Sequence, residues 1–267
     1  VIESLEKTKS IVVHGAGCDH IDIEAATEKG IVVCNTPEAL SETVAEHVIA
    51  LSLGLSRGLV RGDKGVRAGV WLQSRRELSS LSHELYQKTM GIIGLGRIGS
   101  RVVKKVKCLE MKVIAYDPYF DEEMIRRSGA EPVDLERLLK ESDVVSVNCP
   151  LTDATKGMIG RRELKMMKKS AILVNTARGG VLDEAALIEA LRDGDIAGAA
   201  LDVLQKEPPD QNNPLLTMEN IIFTPHIAGN TEESMARLSI QCAEQAMRTL
   251  RGEKPMNIVN PEVLEKH

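Results

Sequence analysis

Three side chains in separate stretches of the chain have complementary chemistry. Arg178 follows the apolar run AILVNTA, Glu207 lies in the loop sequence DVLQKEPP, and His226 follows IIFTP. The planar guanidinium group of an arginine binds a carboxylate through paired hydrogen bonds and polarises an adjacent carbonyl group. Histidine gives or takes a proton near neutral pH, and a neighbouring carboxylate holds its ring in one orientation. The three residue types therefore suit proton transfer at a hydroxyl or carbonyl group beside a bound carboxylate.

Each of these residues alone has a simpler interpretation, as a surface ion pair, a loop acid or a packed histidine. Their positions favour the chemical interpretation, because each follows an apolar run that predicts a buried strand. Eight such runs occur, at 10–15, 30–35, 90–95, 111–116, 143–148, 171–176, 197–203 and 220–225. Between most of them, apolar residues three and four positions apart predict helices. Alternating buried strands and helices predict an α/β fold with a doubly wound parallel sheet, whose ligands bind at the carboxyl ends of the strands.

The segment GIIGLGRIGS, residues 91–100, holds Gly94, Gly96 and Gly99 between a predicted strand and a predicted helix. Glycines at this spacing permit a tight turn, close approach of a pyrophosphate to the backbone, and packing of the helix on the strand. The next predicted strand ends at Asp117, whose carboxylate can accept both ribose hydroxyl groups of an adenosine and repel a 2′-phosphate. Protein kinases carry a similar loop, but the chain contains no HRD or DFG sequence. These features predict a Rossmann domain that binds NAD in preference to NADP.

A bound nicotinamide transfers hydride, so the protein must supply orientation, charge stabilisation and a proton donor or acceptor. Arg178, Glu207 and His226 meet these needs for the interconversion of a 2-hydroxy acid and its 2-keto acid, with Glu207 orienting His226. Asp202 closes the strand AGAALD at the same predicted edge. The other histidines, including His47, show no such convergence, and we interpret them as structural residues, except His14, which starts a glycine turn.

Two strands end in Thr-Pro, at 36–37 and 224–225, and a long helical pattern follows each of them. Proline forces the residue before it out of helical geometry, so each strand stops before its helix begins. The two helices are predicted at 41–59 and 231–250. A chain that crosses between two domains needs such exits. We therefore predict an NAD-binding Rossmann domain at 38–229 and a smaller α/β substrate domain made of 1–37 and 230–267.

Composition limits the classes of partner. The 34 Lys and Arg residues against 39 Asp and Glu give a net charge of −5, which argues against general affinity for nucleic acid or an anionic membrane. The five cysteines form no CxxC pair, so neither a metal site nor a disulfide framework is predicted. No run of 18 apolar residues occurs, and the first ten residues are too charged for a secretory signal. We expect a cytoplasmic protein with a small-molecule substrate.

The chain resembles the D-isomer-specific 2-hydroxyacid dehydrogenase family, most closely its phosphoglycerate dehydrogenase branch. The matching stretches cover nearly the whole chain from Ile11 onward: HGAGCDHIDIEAATEKGIVVCNTPEALSETVAEH, GIIGLGRIG with YDP, VNCPLTDATKGMI, LVNTARGGVLDEAAL, AGAALDVLQKEPP and TPHIAG. The resemblance implies that Arg178 binds substrate, that Glu207 is the acid paired with histidine, and that His226 is the proton donor. It implies NAD contacts at Ala16, Arg97, Ile98, Asp117, Cys149, Thr176, Asp202 and Gly229. It also implies that the backbone of His14, Gly15, Ala16 and Gly17 holds the substrate carboxylate.

The chain departs from the family pattern at both ends. It begins well inside the family's substrate domain, so we expect that domain to be incomplete at its N-terminus. No regulatory extension follows the C-terminal helix, so feedback by serine is not implied.

Several functional alternatives stay open. The resemblance favours 3-phosphoglycerate as substrate, and Arg75 and Arg76, after Trp71, are candidates for binding its phosphate, in one interpretation across a dimer interface. A solvated surface pair is the simpler interpretation of these two arginines. Glyoxylate, hydroxypyruvate and D-lactate are the alternative substrates. Helix 41–59 has a small and aliphatic face, and the resemblance implies a homodimer built on this helix. A further alternative, from the same resemblance, is an NAD-sensing corepressor module like the C-terminal binding proteins.

Overall fold

The computed structural model describes residues 1–265, and a parallel sheet organises most of them. The strands are β1 (Ser10–Val12), β2 (Val32–Cys34), β3 (Thr89–Ile93), β4 (Lys112–Tyr116), β5 (Glu131–Pro132), β6 (Val144–Val147), β7 (Ile172–Asn175), β8 (Gly198–Leu201) and β9 (Ile221–Phe223). β3 to β9 form one seven-stranded sheet in the order β5-β4-β3-β6-β7-β8-β9, with every pair parallel. β1 and β2 pair in parallel separately.

Helices connect the strands. They are α1 (Ile23–Glu28), α2 (Ser41–Ser56), α3 (Leu59–Arg67), α4 (Trp71–Leu81), α5 (Arg97–Val106), α6 (Glu122–Ser128), α7 (Leu135–Glu141), α8 (Arg161–Met166), α9 (Glu184–Asp193) and α10 (Glu232–Leu250). Parallel strands need such crossovers, because a strand must return across the sheet before the next one can start. The predicted α/β class with a doubly wound parallel sheet is confirmed.

Both faces of the seven-stranded sheet are buried. In β7, Leu173 packs in one hydrophobic cluster, whereas Ile172 and Val174 pack in the other. Successive side chains of a strand point to opposite faces, so a continuous apolar strand requires helices on both sides. α9 covers the first face and α5 the second. This packing is the reason the strands appear in the sequence as unbroken apolar runs.

The strand order reverses at the centre of this sheet. β4 and β5 lie on one side of β3, and the chain then returns to place β6 on the other side. Ligands of doubly wound sheets bind in the crevice outside such a reversal. The turns that follow β3 and β6 are therefore the first places to look for a cofactor site.

The chain divides into two compact units, Val44–Ala228 with the large sheet, and Val1–Thr43 with Gly229–His267. The first border lies inside α2 rather than at the predicted residue 37, and the second falls one residue before the predicted end at 229. Residues 266 and 267, the end of the predicted substrate domain, lie outside the described residues.

The smaller unit has its own core. Its apolar residues, Val13, Ala26, Ile31 and Val33, are buried together. The buried side chain of Asn260 accepts a hydrogen bond from the Val33 N–H at 2.8 Å and donates to the Ile31 carbonyl at 3.0 Å. These bonds attach the segment after α10 to β2.

Two elements differ from their sequence predictions. β5 was not predicted, because its two residues form no apolar run. The predicted helix 41–59 corresponds to α2, which ends at Ser56, and a further helix, α3, begins at Leu59 after a break at Gly58, which has a φ of +62°. A Cβ at Gly58 would lie 2.6 Å from the side chain of Leu78, so α4 packs closely against this turn.

Among the described residues, no single helix has the length and hydropathy needed to cross a membrane. α2 and α3 reach that length and apolar character only when taken together, and they are bent by 59° at their junction. In the same part of the chain, no three or more His, Cys, Asp or Glu side chains are grouped to hold a metal ion.

Candidate active site

The turn after β3 is built from three glycines with different steric roles. Gly94 has a φ of +87°, and a Cβ there would lie 2.8 Å from the backbone nitrogen of Cys149. Around Gly96, no described residue other than its chain neighbours has a heavy atom within 4 Å of the Cβ position, so the backbone is open to a ligand. A Cβ on Gly99 would overlap the carbonyl oxygen of Gly94, because the helix packs directly on the turn. These are the steric roles that a dinucleotide-binding turn requires.

The N-terminus of α5 faces the open side of this turn. The helix begins at Arg97, and its N-cap residue, Gly96, has no side chain to cap it. Val102, Val103 and Val106 form its buried face and fix it on the sheet. Uncapped N–H groups at a helix start attract an anion, so the position suits a pyrophosphate.

Asp117 lies directly after β4, and both oxygens of its carboxylate accept backbone hydrogen bonds. Oδ2 accepts the N–H of Leu95 at 2.7 Å, and Oδ1 accepts the N–H of Tyr119 at 2.9 Å. These bonds fix the carboxylate against the glycine turn. Each carboxylate oxygen has two acceptor sites, so the group can still receive ribose hydroxyl groups.

Two other predicted cofactor contacts follow β6 and β7. Thr176 is buried, and its Oγ1 has no hydrogen-bond partner among the described residues. A buried hydroxyl group without a partner is costly, so a ligand group that bonds to it fits the site. Burial raises the pKa of the Cys149 thiol to about 11, so this group stays protonated near neutral pH and we assign it no redox role. With the open glycine turn, these residues fit a bound NAD.

Gly179, the residue after Arg178, lets the Arg178 turn pack directly against the loop that follows β8. A Cβ on Gly179 would overlap the carbonyl group of Leu204 and the next peptide nitrogen. The two backbones are therefore in direct contact, and no larger residue fits between them. The side-chain amide of Asn175 donates to the Arg178 carbonyl oxygen at 2.9 Å and fixes the same turn.

The loop that touches Gly179 also carries Glu207, which is bonded to His226. Oε1 of Glu207 accepts the N–H of Leu204 at 2.9 Å, and Oε2 lies 2.6 Å from Nδ1 of His226. An ionised carboxylate only accepts hydrogen bonds, so the ring proton is on Nδ1 and Nε2 is left for a ligand. The two side chains are 52% and 37% exposed, so the pair is open to solvent.

The ends of three neighbouring strands bring these groups to one edge. Asn175, Leu201 and Phe223 are in register across β7, β8 and β9. Neighbouring strands lie about 4.8 Å apart, so the strand ends that lead to Arg178 and His226 are about 10 Å apart. This span suits a small acid bound between the two side chains.

The predicted substrate loop, 14–17, belongs to the smaller unit. Gly15 has a φ of +149°, and its N–H bonds to groups within that unit. The N–H groups of Ala16 and Gly17 have no partner among the described residues, so they are available to an anion. Gly229, a predicted cofactor contact of the same unit, accepts a hydrogen bond at its carbonyl oxygen from a side chain of α10 at 2.6 Å.

Arg75 and Arg76 are exposed residues of helix α4. Glu77 of this helix bonds Arg61, which also lies 3.6 Å from Glu219. Glu219 precedes β9, so α4 lies at the amino ends of the strands. Within one chain, the arginine pair is therefore at the opposite edge of the sheet from the candidate site.

His47 is connected to the site, although we had interpreted it as a structural residue. Its Nε2 lies 2.9 Å from Oγ1 of Thr224, which lies 2.5 Å from Oδ1 of Asp202. The first contact joins residues 177 positions apart. Hydrophobic periodicity carries no signal for a polar contact of this kind.

A family model describes the same architecture. The model of the NAD-binding domain of D-isomer specific 2-hydroxyacid dehydrogenases matches residues 49–228. The chain belongs to the D-isomer specific 2-hydroxyacid dehydrogenase family. The family prediction is thereby confirmed, and so is the prediction that the cofactor is NAD.

Individual relatives extend this similarity over almost the whole chain. A D-3-phosphoglycerate dehydrogenase of Methanocaldococcus jannaschii is 47% identical over 261 residues, 97% of this chain and 49% of that protein. A glyoxylate reductase of Korarchaeum cryptofilum is 42% identical over 265 residues, 99% of this chain and 80% of that protein. The holo D-mandelate dehydrogenase of Rhodotorula graminis superposes with a TM-score of 0.91 at 30% identity, covering 97% of this chain and 77% of that one. The chain thus spans about half the length of the first of these relatives and more of the other two.

Proposed function

We propose that this chain catalyses the NAD-dependent interconversion of a D-2-hydroxy acid and its 2-keto acid. The observation that carries the proposal is the bonded pair of His226 and Glu207, at the same sheet edge as Arg178. A glycine turn that fits a dinucleotide opens at the carboxyl end of the same sheet. The histidine–glutamate pair alone is also typical of a packed histidine, and the glycine turn alone is typical of nucleotide sites in general. The proposal therefore depends on both features together.

The cofactor supplies the hydride when it is bound. Gly96 and the N-terminus of α5 would hold its pyrophosphate, and Asp117 the adenosine ribose. Thr176 and Asp202 would contact the nicotinamide end, since they follow neighbouring strands of the sheet.

Arg178 and His226 divide the remaining work on the substrate. The guanidinium group binds the substrate carboxylate and orients the carbonyl group beside it. In reduction, Nε2 of His226 donates a proton to the keto oxygen, and in oxidation it takes the proton back from the hydroxyl group. Glu207 keeps Nδ1 protonated and the ring in position, so Nε2 faces the substrate.

The substrate pair we propose is 3-phosphoglycerate and its 2-keto acid. The proposal is supported by the 47% identity with a D-3-phosphoglycerate dehydrogenase. Glyoxylate is the second candidate, because the chain covers 80% of a glyoxylate reductase at 42% identity. A panel of 3-phosphohydroxypyruvate, glyoxylate, hydroxypyruvate and pyruvate, followed by NADH absorbance, ranks these substrates by kcat/KM.

The decisive variant for the reaction class is His226→Gln. General acid–base catalysis contributes about 10²- to 10⁴-fold, so we expect kcat to fall by that factor while NADH still binds. His83→Gln is the matched control, because His83 is an exposed histidine at the amino ends of the strands. Tight NADH binding without turnover of any acid by the unaltered protein would contradict the proposal and favour the corepressor-like alternative.

We also propose a homodimer. α3 and α4 expose large apolar side chains, with Leu59, Trp71 and Leu72 between 60% and 63% exposed. Such a surface is unusual for a protein that stays a monomer. Sedimentation velocity tests the proposal, and a single species of monomer mass at micromolar concentration would contradict it.

A homodimer would affect substrate binding, because Arg75 and Arg76 can reach the candidate site only from a second copy of the chain. Their joint replacement by alanine should raise the KM for 3-phosphohydroxypyruvate about 10-fold, since a hydrogen bond to a charged group contributes about 1.5–3 kcal/mol. The KM for glyoxylate should stay unchanged. Arg126 and Arg127, an exposed pair on α6 bonded to glutamates, are the matched control. Equal effects on both substrates would remove the pair from phosphate binding.

A further inference from the structure

The turn that carries His226 is held by one buried carboxylate. Asp202 is 3% exposed, and its Oδ1 accepts the N–H of Ile227 while its Oδ2 accepts the N–H of Ala228, both at 2.9 Å. The carbonyl oxygens of Asp202 and Thr224 accept the His226 N–H at 2.9 and 3.0 Å. The orientation of the Asp202 side chain therefore sets the path of the backbone directly after His226.

This turn is not relaxed. His226 has a φ of +53°, in the left-handed region that residues other than glycine rarely adopt. Such a conformation persists only where the surroundings determine it, and the hydrogen bonds donated by the N–H groups of Ile227, Ala228 and His226 do so here. Loosening Asp202 would let the turn relax and would move the imidazole away from its place.

A short hydrogen-bonded chain leads from Asp202 to α2. Oγ1 of Thr224 lies 2.5 Å from Oδ1 of Asp202 and 2.9 Å from Nε2 of His47. The carboxylate can only accept, so the single hydroxyl proton of Thr224 is donated to Asp202. Oγ1 must then accept from His47, which fixes the proton of the His47 ring on Nε2. The direct distance from this nitrogen to Oδ1 is 3.8 Å, so the ring acts through the hydroxyl group.

We infer that His47 is a positioning residue, which acts through Thr224 and Asp202 to hold the turn that presents His226. The ring of His47 is anchored on α2 among buried residues of the large unit, Ala45, Val48 and Leu51. α2 therefore supplies a rigid support for the hydroxyl group of Thr224. Without the Nε2–H donor, the side chain of Thr224 is no longer held in one rotamer. Its hydroxyl group, which donates to the Asp202 carboxylate together with the N–H groups of Ile227 and Ala228, is then no longer oriented. The inference rests on the proposed function for its kinetic effect, and its structural part stands apart from that function.

The test compares two replacements of His47. Gln places an N–H donor near the position of Nε2, whereas Leu fills similar space without a donor. Outer-shell partners of metal-bound histidines typically contribute about 10- to 100-fold, and for His47→Leu we expect about a 10-fold lower kcat with less than a twofold change in the KM of the keto acid. His47→Gln should restore kcat to within about threefold of the unaltered protein. Thr224→Val should reproduce the His47→Leu defect, and the double variant should show no further loss, because both changes break one chain of bonds.

Two readouts do not need turnover. In protein labelled at histidine, the ring ¹H–¹³C signal of His226, assigned with His226→Gln, should shift in His47→Leu and return in His47→Gln. The dissociation constant of NADH, measured by its fluorescence, should rise in His47→Leu and recover in His47→Gln, since Asp202 is a predicted cofactor contact. If no keto acid is reduced by the unaltered protein, the proposed function fails, and these two measurements still decide the role of His47.

A different result overturns the inference. Equal kinetic, spectral and binding effects of Leu and Gln, or a lower melting temperature as the only change in His47→Leu, would assign His47 to the packing of α2 alone. Additive losses in the double variant would show that His47 and Thr224 act separately.

Discussion

Gly179→Ala tests the contact between the Arg178 turn and the loop of Glu207. The added methyl group would overlap the carbonyl group of Leu204 and the peptide nitrogen after it, both closer than 3.0 Å. The atoms that the added methyl group would overlap belong to the main chain, so no change of side-chain rotamer can relieve the overlap.

The size of the effect follows from this overlap. One of the two backbone segments must move by about 1 Å, and a misplacement of about 1 Å near reacting groups costs on the order of 10²-fold in rate. A 10²-fold loss corresponds to about 2.7 kcal/mol of transition-state stabilisation. Because Leu204 also donates to Glu207, the movement should separate Glu207 from His226 and lower kcat.

Gly180→Ala is the matched control for this variant. A Cβ there would lie 3.0 and 3.2 Å from the flexible side-chain ends of Leu151, which can turn away. We expect kcat of the control within about threefold of the unaltered protein, because a small shift of a side chain leaves Glu207 in place. The assay measures kcat and KM for the preferred keto acid, with the NADH dissociation constant as a check on the fold. A Gly179→Ala protein that binds NADH normally and keeps kcat within threefold would refute the reasoning.

Three further changes address the cofactor site and the buried thiols. Asp117→Ala should weaken NADH binding and improve NADPH relative to it, measured as a ratio of kcat/KM values, and an unchanged ratio would remove Asp117 from cofactor choice. Thr176→Val should leave the ligand-free melting temperature unchanged or higher, because it deletes an unpaired buried hydroxyl group, and should weaken NADH binding; unaltered binding would mean that Oγ1 does not face the cofactor. Burial raises the pKa of Cys34 and Cys149 to about 11 from 9.0, so the folded state holds these protons more tightly than the unfolded chain. The contribution of these two thiols to the free energy of unfolding in urea should therefore be constant below about pH 9 and fall between about pH 9 and 11, and a Cys34→Ala, Cys149→Ala double variant should lose part of that fall.

The large sheet could be predicted because its strands are buried on both faces. Runs such as AILVNT stay apolar at every position, and β7 buries Leu173 on one side and Val174 on the other. β5 could not be found in this way, since it is a two-residue edge strand of glutamate and proline. The break between α2 and α3 was not predicted, because Gly58 lies inside an apolar pattern and its positive φ leaves no signal in the sequence.

The candidate site was predictable where its residues lie next to strand ends. Arg178, Asp202 and His226 follow β7, β8 and β9, and parallel strands place their carboxyl ends together. His47 lies in the middle of a helix, and only the tertiary fold brings it to Thr224. Arg75 and Arg76 stay a prediction, because their residue types suit a phosphate but, within one chain, they lie at the other edge of the sheet.

The most direct test of the account is the crystal structure of the protein with NADH and oxalate, an unreactive dicarboxylate of similar size to the substrate. We predict one oxalate carboxylate bonded to the guanidinium group of Arg178, an oxygen of the other carboxylate within hydrogen-bond distance of Nε2 of His226, and Nδ1 of His226 still bonded to Glu207. Oxalate bound elsewhere, or a nicotinamide ring that lies away from this edge of the sheet, would contradict it.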